Sequence, residues 1–227
     1  MNQVHKSGIL YIIAMPIGNE GDITIRALEI LKGVDLIVCE EFRAGTTALK
    51  KQGIKPNAIS LLNEHNEAEQ TPELIKELCN GRSLALITDC GTPAFADPGA
   101  LLIQECFNYG IRVVPVPGPS ALTAAISISP HALNEFYFAG FLPKKDESRH
   151  AHLIRLANLR VPIILMDTPY RLGRMLQDCI KVFGKNRIAT LAMDMTTSKE
   201  LILHAPLGDL AKQCGVKKAE FMLIVHL

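Results

Sequence analysis

The chain has 227 residues, is 48% hydrophobic, and carries 24 Lys+Arg against 23 Asp+Glu, a formal net charge of +1. That balance excludes a bulk basic surface for nucleic acid, though not a local patch. With no tryptophan and 5% aromatic residues, the composition also argues against extended base-stacking platforms. The length suffices for one large core or two small ones.

Cys39, Cys79, Cys90, Cys106, Cys179 and Cys214 form no C-x-x-C pair, and most sit in apolar runs. They read as reduced thiols of a cytoplasmic protein, with neither a disulfide framework nor a zinc site. The opening MNQVHKSG is too polar and short for a signal peptide. No apolar run is long enough to span a bilayer, so no membrane partner is expected.

Residues 9–15 (ILYIIAM) form a continuous apolar run that predicts a buried strand, ended by PIGN. A helix follows over 23–31, with Asp22 as N-cap and Gly33 as its stop. Residues 35–39 predict a second strand, ending in Glu40-Glu41-Phe42-Arg43, with a helix over 46–52. A third strand, 58–62, ends in Asn63-Glu64-His65-Asn66. Thr71 and Pro72 are the expected N-cap and first residue of the next helix. The fourth strand, 84–87, runs into TDCGTPAFADPG, where Asp97 and Pro98 read as the cap of a helix over 100–109. Residues 112–116 predict a fifth strand, ending in PGPS, and another helix reaches about residue 128.

Five strand–helix units in succession predict a parallel, doubly wound sheet. Gly18-Asn19, Glu40-Glu41-Arg43, Asn63 to Asn66, Asp89-Gly91-Thr92 and Gly118-Ser120 all follow a strand's carboxyl end. Right-handed crossovers bring those ends to one edge of the sheet, where open α/β folds bind ligands. Each loop is also readable as an ordinary strand-to-helix connection.

Ser129-Pro130-His131 breaks the pattern. The expected organisation is an N-terminal α/β domain over 1–130 and a C-terminal α/β domain over 131–227. In the second, strands are predicted at 136–141, 161–166, 187–193, 199–204 and 220–226. PKKDESR (143–149) is a charged loop or helix start, and helices are predicted at 170–182 and 207–213. The order β-α-β-α-β-β-α-β predicts a mixed sheet.

No G-x-G-x-x-G follows the first strand, and no phosphate-cradling G-x-x-x-x-G-K-[ST] or G-x-S-x-G elbow occurs. His65 beside Glu64 has no second His or Cys at metal spacing, so it reads as a polar loop histidine.

Five stretches carry a resemblance: YIIAMPIGNEGDIT (11–24), TDCGTPAFADPG (88–99), VVPVPGPSAL (113–122), FYFAGFLP (136–143) and DTPYR (167–171). In order and spacing, over nearly the whole chain, they resemble the tetrapyrrole methylase superfamily, and within it a branch that methylates ribosomal RNA. The resemblance implies a two-domain, class III S-adenosylmethionine-dependent methyltransferase, usually a homodimer, with the cofactor in the cleft between domains. It implies 2′-O-ribose methylation of a cytidine in small-subunit (16S) ribosomal RNA, with the small subunit or its RNA as partner. By position, Gly91, Thr92, Phe95, Ser120, Ala121, Met166 and Met193 match cofactor contacts; plain core is the lesser reading of Phe95 and Met166.

Deprotonating a ribose hydroxyl calls for a general base. Candidates at the sheet edge are Glu40, Glu41 and Asp22, with Glu64 and His65 beside them and Arg43 near enough to orient one of the paired carboxylates. Asn19, Arg26, Arg43 and Arg171 are candidates for holding substrate. Each single carboxylate is also readable as a cap or a solvated charge, Asp22 most of all.

The chain departs from the family at Phe42, where E-D-T-R becomes E-E-F-R; at Asp167 and Tyr170; and at Asp194, where E-L-T-K becomes D-M-T-T. Three readings remain open. An RNA methyltransferase should show a local basic rim, with Lys144, Lys145, Arg149, Arg171 and Arg174 the candidates. A corrinoid- or porphyrin-type small-molecule methyltransferase should show an apolar, macrocycle-sized cavity. A non-catalytic relic should leave the crevice carboxylates without a role.

Overall fold

The structure is a computed structural model that describes residues 7–214 and 216–227. Residues 1–6, which belong to the stretch read above as no signal peptide, lie outside the described residues. No helix among the described residues is long and apolar enough to cross a membrane. The chain divides into two compact units after Ser120, and each is described by itself.

In the first unit the strands are β1 (Ile9–Ile13), β2 (Leu36–Cys39), β3 (Ile59–Leu61), β4 (Leu84–Leu86) and β5 (Arg112–Val116). They form one sheet in the order β3-β2-β4-β1-β5, and every pairing is parallel. The helices are α1 (Ile25–Gly33), α2 (Phe42–Lys51), α3 (Glu67–Cys79) and α4 (Ala100–Asn108). The strand period of two divides the core. Ile37, Cys39 and Ala85 pack with α1 and α2 residues such as Leu31 and Leu49. Leu36, Val38 and Leu84 pack with α3 and α4 residues such as Leu78 and Leu102. All four β2 side chains are therefore buried, as expected for a central parallel strand covered on both faces.

Three caps differ from the sequence expectation. Thr24, not Asp22, caps α1, accepting from the Ala27 N–H at 3.1 Å; Asp22 is an exposed member of a 3-10 turn, Glu20–Asp22. α3 begins at Glu67, so Pro72 lies inside it and Thr71 is a buried helical residue, not a cap. α4 begins after Gly99, and Oε1 of Glu67 accepts the N–H groups of Gly99 (2.8 Å) and Leu101 (3.1 Å). Asp97 instead accepts from the Thr88 hydroxyl at 2.9 Å. A carboxylate from another helix has taken over the capping role, which local sequence cannot reveal.

The second unit contains α5 (Ala121–Ser127), β6 (Tyr137–Phe141), α6 (Asp146–Ala157), β7 (Ile163–Asp167), α7 (Leu172–Phe183), β8 (Ile188–Met193), β9 (Leu201–Pro206), α8 (Leu207–Cys214) and β10 (Phe221–Val225). Its sheet runs β6-β7-β10-β8-β9. β6 and β7 are parallel and the other neighbours antiparallel, so the sheet is mixed as predicted. PKKDESR opens a full helix, α6. Ile163, Leu165, Leu191, Met193, Leu223 and Val225 face a core shared with Leu153, Leu176 and Leu210 of α6, α7 and α8.

Candidate active site

The carboxyl ends of β1, β4 and β5 are tied together by backbone. Met15 and Gly91 exchange N–H···O bonds of 2.8 and 3.1 Å. The Thr92 hydroxyl donates to the Pro119 carbonyl at 3.3 Å, and the Cys90 thiol lies 3.7 Å from the Ile17 carbonyl. Gly91 sits at φ +81°, a conformation that penalises any side chain. At Gly118 an added Cβ would come within 3.1 Å of Ala14 Cβ, so the PGPS loop packs flush against the β1 loop.

The neighbouring strand, β2, delivers two adjacent glutamates to different tasks. Glu41 caps α2 with both oxygens, accepting from Arg43 N (2.9 Å) and Ala44 N (2.6 Å). Arg43 thus meets Glu41 through its backbone, not its guanidinium. Glu40 is half-buried and makes no hydrogen bond or ion pair among the described residues. Burial raises its pKa, and Asp97, Asp89 and Glu64 add like-charge repulsion. Asp89, beyond β4, is raised by burial and then by Glu41 and Asp97. Since β2 and β4 are adjacent, these loops concentrate negative charge at one part of the edge.

Beside them lies an open cavity of about 500 Å³, walled by Met15 to Gly18, Glu20, α2 and Asp89-Cys90. Arg43 and Thr47 project from α2 into its lining, and the α2 end is fastened by the Lys51–Glu20 ion pair at 2.7 Å. The helix approaches closely because of Gly45: a Cβ there would lie 2.6 Å from Cys39 Sγ.

Of the candidates from sequence, Glu41 and Arg43 line this cavity; Glu40, Asn19 and Asp22 do not. Asn19 accepts from Gly21 N at 2.9 Å and caps the 3-10 turn. Arg26 is exposed on α1. Asn63 and Asn66 close the loop after β3 on themselves, leaving Glu64 and His65 pointing into solvent, 3.5 Å apart. No group of metal-ligating side chains occurs among the described residues. Phe95 is 51% exposed, which removes the plain-core reading of it. Ser120 ends the first unit and Ala121 begins α5.

In the second unit, Met166 is out of phase with core-facing Leu165, while Met193 is packed in the core. Arg171 is engaged by Asp167 (3.1 Å) and by the Leu142 and Pro143 carbonyls. Sequence reasoning placed Asp89 at the ligand-binding edge without giving it a role, and missed Thr47 as a cavity residue; its place one turn into the helix after β2 was the available signal.

Residues 9–211 match the sequence profile of the family described as Tetrapyrrole (Corrin/Porphyrin) Methylases. The chain belongs to the tetrapyrrole methylase family. The resemblance read from the five motifs is borne out. Among curated relatives, a Vibrio cholerae serotype O1 protein named Ribosomal RNA small subunit methyltransferase I is 39% identical, covering 96% of this chain and 77% of the relative. Proteins of the same name from Xylella fastidiosa and Escherichia coli O157:H7 are 40% and 38% identical, covering 96% and 98% of this chain and 81% and 79% of their own lengths. Among solved structures, uroporphyrin III C-methyl transferase from Thermus thermophilus superposes with a TM-score of 0.68 at 18% identity, covering 96% of this chain and 97% of that one. A putative diphthine synthase from Entamoeba histolytica gives the same TM-score and identity over 96% and 92%. These last two likenesses establish that this tetrapyrrole methylase has the family's fold.

Proposed function

We propose that this chain is an S-adenosylmethionine-dependent methyltransferase that methylates a ribose 2′-hydroxyl of a cytidine in small-subunit ribosomal RNA. The observation that carries the reading is the family membership together with relatives at 38–40% identity that share one name. The same reading carries a homodimer and a cytoplasmic location. It also selects among the three alternatives: the cavity beside the carboxylates is open and lined by Arg43, Thr47 and acidic groups, which suits a polar substrate better than an apolar macrocycle.

The residues present fit the cofactor. Its sulfonium is cationic, and the edge beside β2 and β4 carries Glu40 and Asp89, which form no ion pair among the described residues and lie close enough to other carboxylates for like-charge repulsion to add to the effect of burial on their pKa values. Thr92 and Ser120 offer hydroxyls, Gly91 offers open backbone, and exposed Phe95 offers an apolar surface for an adenine ring. When bound, S-adenosylmethionine supplies an electrophilic methyl group. The chain does the rest by positioning and proton transfer. Glu40 is the proposed base: half-buried and without a hydrogen bond among the described residues, it would accept the proton of the ribose hydroxyl. Burial first, then Asp97, Asp89 and Glu64, raises the Glu40 pKa. Arg43 at the cavity mouth neutralises a substrate phosphate.

The test is transfer of a labelled methyl group from S-adenosylmethionine, with small ribosomal subunits from a strain lacking this gene and a tetrapyrrole precursor offered in parallel. Label in the RNA supports the reading. Label confined to the tetrapyrrole, or none in either, refutes it.

A further inference from the structure

The sequence reading placed an RNA-binding rim on Lys144, Lys145, Arg149, Arg171 and Arg174, and the structure removes most of it. Arg149 is 2% exposed and is held by Asp178 at 2.7 Å and Asp146 at 2.9 Å. Arg171 holds Asp167 and two carbonyls, and Arg174 pairs with Asp146. The second unit carries a different basic surface.

One face of α7 and the 3-10 turn before it presents Tyr170, Gly173, Arg174, Gln177, Asp178 and Lys181, the spacing of a single helical stripe. Opposite stand Ala211 of α8 and, beyond that helix, Val216, Lys217 and Lys218. Between the two runs an open groove of about 520 Å³. Gly173, which contributes no side chain, is part of its lining. Its lining holds Arg174, Lys181, Lys217 and Lys218 against Asp146 and Asp178. Within the groove Arg174 pairs with Asp146 and Lys181 with Asp178 at 3.3 Å, and buried Arg149 bonds both carboxylates from behind, so Lys217 and Lys218 carry its excess positive charge. Neither Lys217 nor Lys218 forms an ion pair among the described residues. Tyr170 is 76% exposed, and Lys218 Nζ stands 4.9 Å from its ring centroid. In a chain with a net charge of +1, this cluster is a local departure from neutrality.

We propose that this groove binds a single-stranded segment of the RNA substrate, with Lys217, Lys218 and Lys181 on its phosphates and the Tyr170 ring as a stacking surface for one base. The proposal rests on the ribosomal RNA reading above. A ribose can be methylated only where the strand is accessible, and an unstacked base next to it needs an aromatic face. One tyrosine flanked by lysines provides that, even though the composition holds too few aromatics for an extended platform. Lys218 over the ring and Lys217 beside it form the positively charged track that a backbone follows.

The experiment titrates the full chain with a labelled single-stranded fragment of 16S RNA at several salt concentrations and measures methyl transfer to the same RNA. The variants are K217E/K218E, K217Q/K218Q and Y170A. K32E/K55E, which reverses two exposed charges on α1 and in the loop before β3, matches the charge change elsewhere. K217E/K218E and K217Q/K218Q should bind at least about tenfold more weakly at 0.1 M salt. Their slope of log affinity against log salt should be shallower by about 1.4, or roughly 0.7 for each lost phosphate contact. Y170A should weaken binding about tenfold at every salt concentration and leave the slope alone. In all three the KM for RNA rises while kcat and S-adenosylmethionine affinity hold, which separates the groove from misfolding. K32E/K55E should match wild type.

Groove variants that bind RNA with wild-type affinity and slope, while wild type methylates it, overturn the groove and leave the functional reading standing. A control variant as weak as the groove variants overturns it too, as does an equal loss toward an acidic peptide of the same charge density. A wild-type chain that methylates only the tetrapyrrole overturns the functional reading, and the groove with it.

Discussion

Met15 and Gly91 face each other across the ends of β1 and β4 as a two-bond antiparallel bridge, 2.8 and 3.1 Å, at a point where the strands themselves run parallel. The bridge turns the TDCGTP loop back over the β1 loop and depends on Gly91 at φ +81°. Gly91→Ala should therefore cost about 1–2 kcal/mol of stability and weaken S-adenosylmethionine binding. Paired denaturant melts and calorimetric titrations measure both, and a variant with wild-type values for each would show that the bridge is dispensable.

The adjacent glutamates should separate cleanly. Glu41→Ala removes two capping bonds of α2 and should lower stability by about 1 kcal/mol. Glu40→Gln should lower kcat by about 10²–10⁴-fold. Its pKa is raised in the folded chain, so the folded state holds the proton to higher pH than the unfolded state does. Ionised Glu40 then opposes folding above that pKa. Glu40→Gln should consequently raise the melting midpoint at pH 7 but not at pH 4, while erasing the acid limb of the pH–rate profile.

Gly45→Ala tests how α2 is held against β2. In an exposed helix that change stabilises by roughly 1 kcal/mol. Here the new methyl group would lie 2.6 Å from Cys39 Sγ and 2.9 Å from its Cβ, so the variant should lose about 1–3 kcal/mol by overpacking. Cys39→Ala in the same chain should restore part of that loss, read as a double-mutant cycle on the unfolding midpoint.

His226 makes the second unit acid-sensitive. It is buried, bonded through Nε2 to the Thr190 hydroxyl at 2.8 Å, with the His131 and His204 rings against it. Burial, then those two histidines, lower its pKa from 6.5 to about 4. Between those values the unfolded chain binds a proton that the folded chain does not, so stability falls as pH falls through that window. The slope contributed by this one group is at most about 1.4 kcal/mol per pH unit. Chemical denaturation from pH 7 to pH 4.5 should show His226→Gln with a flatter profile than wild type.

The sequence carried the order of elements well because burial sets it. Runs such as Leu36 to Cys39 and Phe221 to Val225 are apolar on both faces, and only a covered strand tolerates that. Caps and charge partners were less legible. Asp22 and Asp97 have the right chemistry and position for caps, but Thr24 and the distant Glu67 hold those amides. Glu40 and Glu41 are indistinguishable as letters; both follow the end of β2 and only the second reaches the α2 amides. Three of the five residues of the expected RNA rim are engaged for the same reason. Arg149, Arg171 and Arg174 find carboxylates brought close by folding, whereas Lys217 and Lys218, unremarkable in sequence, are left facing a groove.

The most direct measurement is the product. Small ribosomal subunits methylated by the wild-type chain and by Glu40→Gln would be digested with nuclease, and the RNA fragments resolved by mass. The account predicts a nuclease-resistant dinucleotide carrying 2′-O-methylcytidine from wild type and about a hundredfold less from Glu40→Gln. A methyl group on a base, or no methylated nucleotide at all from wild type, would contradict it.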